Sequence, residues 1–274
     1  MGKQPSSERE SYLRLLDLCY EVAQSLRATQ ASMPHMPDCQ QLALKLFMHA
    51  ASIHWLAQGT HAPVPESVVG GAYFYDFPSV AVLTRVALDT YLTLFEVFFE
   101  PETRDEFEFN HALWQLSGFV VREGVVPSDP GLRDWVAGSE REIEEMRSRL
   151  CATQKYASLS SGEKKAVLRG RRGRDWSAVA RAAGFAEQTI RRMYAYYSGY
   201  VHADGLAGAQ IMQAATREEQ SRFIEGDMRL VMSMLAKTIL GYEAKFQEAR
   251  RICEGRPADH TLAQVWSEVA RRLP

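Results

Sequence analysis

The sequence predicts an all-α protein, a multi-helix bundle, and three observations carry that expectation. Apolar residues recur at three- and four-residue spacing along each long segment. Ser or Thr followed three residues later by Glu, the box that satisfies the free amides of a helix start, stands at 7–10, 160–163 and 216–219. No stretch alternates apolar and polar residues for long enough to make a useful strand. With 274 residues, 46% of them hydrophobic, the chain can cover a proper core, and it reads as a single helical domain over 1–274 without repeats or low-complexity segments.

The elements follow in order. The box Ser7-Glu8-Arg9-Glu10 opens a helix on which Tyr12, Leu15, Leu16, Cys19, Val22, Ala23 and Leu26 share a face. Prolines 34 and 37 break the chain, Asp38 is placed to cap a second helix, and Leu42, Leu46, Ala50, Ile53 and Ala57 mark its inner side up to Gly59. Residues 59–78 form the longest connection, packed by Tyr73, Phe74, Tyr75 and Phe77. The run 79–99 is a buried central helix stopped by Pro101. A bilayer-length run lies within it, but Arg85, Asp89 and Glu96 each cost about 2.5–3.5 kcal/mol at membrane depth, which excludes a membrane span.

An aromatic-rich helix is expected over about 102–121, with Phe109, Leu113, Leu116 and Val120 inward. Asp129-Pro130 caps the next, whose Leu132, Trp135, Val136, Ile143, Met146 and Leu150 oppose a solvated charged face. A short basic helix follows Ser160-x-x-Glu163. Beyond residue 202 a glycine-rich link leads to a long helix from Thr216 to about Cys253, lined by Phe223, Val231, Leu235, Thr238, Tyr242 and Phe246. Asp259 then caps a last helix carrying Leu262, Val265, Trp266 and Val269.

Charge is nearly balanced, 32 Lys and Arg against 34 Asp and Glu, so any polyanion must be recognised locally. Cys19, Cys39, Cys151 and Cys253 are far apart and the N-terminus has no apolar signal core, which points to the cytoplasm. Glu108-x-x-His111 is half of a carboxylate di-iron motif without a second half, and His49, His54, His35, His61 and His260 are scattered. No metal and no cofactor are expected. Phosphate-binding loops, dinucleotide fingerprints, nucleophile elbows and kinase signatures are all missing.

The local exception to this plainness is 176–202. Asp175 caps a helix from Trp176, Gly184 ends it, and a second helix runs from about Gln188 to Val201, giving a helix-turn-helix-like segment. On the second helix Arg191, Ala195, Ser198 and His202 share one stripe, with Ile190, Tyr194, Tyr197 and Val201 beside it. Between 160 and 200 there are nine Lys and Arg against three acids. Arg169, Arg171, Arg172, Arg174, Arg191 and Arg192, in the basic subregion 160–192, are therefore the candidates for phosphate contacts. The aromatics AEQTIRRMYAYYSGY are not what a DNA groove requires.

Two segments together, SVAVLTRVALDTYLTLFEVFFEP and the downstream Trp, Gly-ended short helix and Tyr-x-x-Tyr-Ser-x-x-x-His, resemble a bacterial helical family known as a domain of unknown function (number 5677). The architecture is similar to the HEPN superfamily, which includes RNases of toxin and antiphage-defence systems. The resemblance spans about 75–205 and implies a bundle in which Arg85 and Asp89 lie near Ser198 and His202. It departs at one point: HEPN nucleases place Arg four to six residues before His, where this chain has Ser198, Tyr197 and Tyr196. Arg192 and Arg191 lie roughly 15–17 Å away along a helix, so the cation would have to come from another helix, with Arg85 leading.

Two functional expectations stay open. One is a ribonuclease-like protein acting on RNA or a nucleotide through a composite site of His202, Arg85, Asp89, Ser198 and Tyr197. The other is a non-catalytic module binding a protein or nucleic acid through the 160–192 segment, with the polar cluster a satisfied internal network. Whether the chain is an enzyme is open between them, and a homo-oligomer is compatible with both.

Overall fold

A computed structural model describes residues 7–28, 35–62, 72–123, 133–173 and 175–269. Its fold is all-α, with thirteen α-helices among the described residues. They are α1 (Glu8–Gln24), α2 (Met36–Leu56), α3 (Phe77–Leu94), α4 (Arg104–Phe119), α5 (Arg133–Cys151), α6 (Gln154–Ser158), α7 (Ser161–Leu168), α8 (Trp176–Ala182), α9 (Glu187–His202), α10 (Gly205–Gln213), α11 (Arg217–Lys245), α12 (Gln247–Gly255) and α13 (Pro257–Val269). No described helix is long and apolar enough to cross a membrane. The chain forms two compact units: Met1–Phe95 with Ala180–Pro274, and Glu96–Val179. The second has its own core, which is why it separates.

In the first unit, α1, α2, α3 and α9 gather around α11 or one another. Every residue of α11 from Leu230 to Ala236 is buried, so the helix is enclosed on all sides rather than along one stripe. Buried phenols tie neighbours across long sequence distances. Tyr12 donates to the carbonyl of Ala50 at 2.8 Å, and Tyr242 donates to the carbonyl of Cys39 at 3.1 Å while accepting from its thiol. The end of the chain is held to α1 by charge: Arg14 reaches Asp259 at 2.6 Å, and Arg256 joins Asp17, Glu21 and Asp259.

In the second unit, α4, α5 and α7 bury Phe109, Ala112, Leu113, Leu116, Ile143, Met146, Leu150 and Val167 together. Gly170, at φ +70°, closes α7. A side chain there would meet Val120 Cγ2 at 2.8 Å and the Ser117 backbone at 3.1 Å, so only glycine allows this approach.

Capping boxes at Ser160 and Thr216 start helices as expected, the Ser7 hydroxyl caps α1 by accepting from the Glu10 amide, and Thr103 with Glu106 forms a further box. Several expectations are corrected. The 59–78 connection holds a two-stranded antiparallel ladder, Thr60–Ala62 with Ala72–Phe74. The second helix starts at Met36, ahead of Asp38, because Pro37 is tolerated in a first turn. The buried run starts at Phe77, capped by Asp76, and its last turn, Phe95–Phe99, is π-helical.

The supposed glycine-rich link is α10, capped by Asp204. The long C-terminal helix breaks at Phe246, which is extended at φ −130° although neither glycine nor proline is near enough to force it. The last helix begins at Pro257, since Asp259 is engaged by two arginines. It buries Ala263 and Ser267, small residues that permit close packing on α11, and leaves Val265 exposed. The Asp129-Pro130 cap lies outside the described residues.

Because α11 is enclosed, truncating a side chain at its centre leaves a cavity that solvent does not fill. Leu235→Ala is expected to lower unfolding free energy by about 2–5 kcal/mol without changing the slope, as read from urea denaturation followed by far-ultraviolet circular dichroism.

Candidate functional site

Helices α3 and α9 bring Arg85, Asp89 and Ser198 together. The Arg85 guanidinium forms an ion pair with Asp89 one turn along, donates through Nε to Ser198 Oγ at 3.4 Å, and lies 3.5 Å from the centre of the Tyr194 ring. Its side chain is only 11% exposed. Carboxylate, hydroxyl and ring thus surround the cation, which suits a group withdrawn from water.

His202 is placed differently. It is exposed at the last position of α9, where Ala203 turns left-handed (φ 53°), and none of the described clefts is lined by it. Tyr197 is also apart from Arg85 in its bonding. It is buried and donates to Asp227 Oδ1 on α11 at 2.6 Å. Burial pushes the Asp227 carboxyl up to about 7, against the Tyr197 hydrogen bond, and raises the Tyr197 phenol well above its usual range.

The other tyrosines of α9 are likewise occupied internally. Tyr196 donates to Tyr200, and Tyr200 to Gln210 Oε1 at 2.8 Å. With Ile190, Tyr197 and Tyr200 buried, the aromatic face of the would-be recognition helix belongs to the core.

The candidate phosphate-binding arginines divide. Arg169, Arg171, Arg191 and Arg192 are exposed, and Arg191 pairs with Glu187. Arg172 is half-buried, forms an ion pair with buried Glu96, and lies 5.3 Å from the Trp176 ring. It is therefore a structural cation. Arg174 lies outside the described residues.

The half motif Glu108-x-x-His111 also has an occupant. Arg149 of α5 donates to Glu108 at 2.9 Å and to Gln115 at 3.0 Å, and its Nη2 lies 3.2 Å from Nδ1 of fully buried His111. A guanidinium sits where the motif would hold a cation.

A further cleft, which has no clear counterpart in the sequence motifs, lies within the Glu96–Val179 unit. This cleft of about 570 Å³ has Pro101, Phe109, Leu113, Leu159 and Val167 among its walls. Glu96, Glu100, Glu102, Glu106 and Glu163 line it with Lys155, Arg171 and Arg172. The π-helical turn positions Glu96, and Asn110 donates to the Glu96 carbonyl at 2.9 Å, meeting an acceptor that a regular helix would bond internally. Glu106 and Glu163 are held by their capping boxes: the Glu102 and Thr103 amides keep the Glu106 carboxyl below the usual range, and the Ser160 hydroxyl, followed by its amide, does the same for Glu163. Lys155 donates to Asn110 Oδ1 at 3.0 Å above the Phe109 ring. The only sequence signal was the acidic spacing around Pro101, with glutamates at 96, 100, 102 and 106.

No protein family, curated protein or solved structure matches the chain.

The buried Asp227 has a measurable consequence. Its folded-state carboxyl titrates above the unfolded value near 3.9, so the native state holds the extra proton. Stability is expected to fall as pH rises from about 4 to about 7. Asp227→Asn retains an acceptor for Tyr197, so its advantage over wild type should grow across that window by on the order of a few kcal/mol, read from urea midpoints at each pH.

Proposed function

We propose that this chain is a non-catalytic interaction module whose 96–179 unit receives a protein segment in its cleft. The observation that carries this reading is the cleft itself: an apolar floor flanked by charged groups held in place by caps and ion pairs. Setting the Glu96–Arg172 pair aside, four glutamates face Lys155 and Arg171. The whole 96–179 segment carries fifteen acids and thirteen Lys and Arg, so its field does not favour a polyanion. The complementary partner is a segment with an apolar anchor flanked by Lys or Arg. One buried Leu-sized anchor contributes about 1.5–3 kcal/mol and each exposed ion pair less than about 1, so binding weaker than micromolar, in roughly the 10–1000 μM range, fits.

Selection from a random peptide library on the purified protein should enrich basic segments around an aliphatic or aromatic residue. The double substitution Glu100→Lys with Glu102→Lys should weaken them about tenfold, and Ala166→Trp should block them by filling the cleft. Equal binding by all three proteins in fluorescence polarisation rules out this site.

A second reading retains one specific observation. Arg85 hydrogen-bonds Ser198, which shares a helix stripe with exposed His202. That is the remaining support for RNA- or nucleotide-directed chemistry and for the HEPN-like resemblance. On the module reading, RNA incubated with the protein stays intact and His202→Ala changes nothing. Cleavage that disappears in His202→Ala, with the fold preserved, would favour the nuclease.

A further inference from the structure

Helices α11, α12 and α13 carry a convergence that neither functional reading uses. Glu243, Cys253 and His260 are ten and seven residues apart in the chain, so on one straight helix they would span roughly 25 Å. The breaks at Phe246 and Arg256 fold the three helices back instead. As a result a carboxylate oxygen, the Cys253 thiol and a ring nitrogen of His260 all lie within 4.8 Å of one another. Cys253 is fully buried beneath them, while Glu243 and His260 are about a quarter exposed.

We propose that Glu243, Cys253 and His260 bind one divalent transition-metal ion of the zinc class. Zinc bond lengths of about 2.0–2.3 Å to oxygen, nitrogen and sulfur place the donors of a tetrahedral site about 3.3–3.7 Å apart. The His260 Nε2–Glu243 Oε2 contact of 2.8 Å opens by less than about 1 Å to reach that spacing, and the farthest pair closes by about 1 Å. Both shifts are within the reach of partly exposed side chains. A thiolate with an imidazole selects zinc or cobalt over magnesium or calcium, which take oxygen donors.

Three protein ligands leave the exposed side for a water. On binding, the Cys253 S–H bond breaks as the metal–sulfur bond forms, and the proton passes to solvent. The surrounding structure supports the geometry. Asp259, next to His260, is gripped by Arg14 and Arg256, and Arg256 is anchored to Glu21 of α1 at 2.8 Å. The start of α13, and with it the imidazole, is thereby held in place.

The test uses the full untagged chain, stripped with a chelator and titrated with Co²⁺ and then Zn²⁺. The expected result is one equivalent of Co²⁺ with a thiolate-to-cobalt charge-transfer band, displaced by Zn²⁺, and a higher Tm with either ion. Cys253→Ser should abolish the band, whereas Cys151→Ser, the exposed thiol, should leave it intact. His260→Gln and Glu243→Gln should each weaken Zn²⁺ by roughly 100-fold. These two alter partly exposed positions, so they remain informative if the buried cysteine variant misfolds. Absence of the band, its persistence in Cys253→Ser, or unchanged affinity in His260→Gln would overturn the assignment.

Discussion

Withdrawing a guanidinium from water costs several kcal/mol unless a carboxylate and further acceptors or a ring face meet it, and this constraint decides where the notable cations of the chain end up. Arg85 is enclosed by Asp89, Ser198 and Tyr194. Arg149 fills the space between Glu108, Gln115 and His111. Arg172 neutralises Glu96, and Arg256 ties the last helices to the first. Arg85 and Arg172 have the look of functional groups in the sequence. In the fold, each of the four arginines is met by at least one carboxylate.

The same constraint shapes the candidate site. Once Arg172 is committed to Glu96, the cleft of the 96–179 unit keeps Lys155 and Arg171 against a larger number of carboxylates. Its lining combines apolar side chains with charged groups, of which Glu96, Glu106, Glu163 and Lys155 are held by hydrogen bonds or an ion pair. These are properties of a binding surface. His202 stands at the exposed end of α9, apart from the lining of that cleft.

Burial also separates the two kinds of polar cluster in the first unit. Tyr197 and Asp227 meet at 2.6 Å in the interior, where the carboxyl is pushed toward its neutral form. Glu243, Cys253 and His260 instead straddle the boundary between interior and solvent. The first arrangement is closed and serves packing. The second leaves a side on which an ion can be loaded.

Local chemistry was enough to identify much of the fold: the caps at Ser7, Ser160 and Thr216, the stop at Gly184, and the apolar stripes of α1, α2 and α4 need only nearest neighbours to act. The Arg85–Asp89 pair was readable for the same reason, being one turn apart on one helix. What the tertiary structure alone decided is whatever depends on distant partners. The extended backbone at Phe246, the inward face of Ala263 and Ser267, and the division into two units have no local residue that forces them. Likewise Arg149 in the half motif, the glutamate-lined cleft and the convergence of residues 243, 253 and 260 arise only when separate helices pack, because spacing along a chain specifies a helix face but not what that face meets.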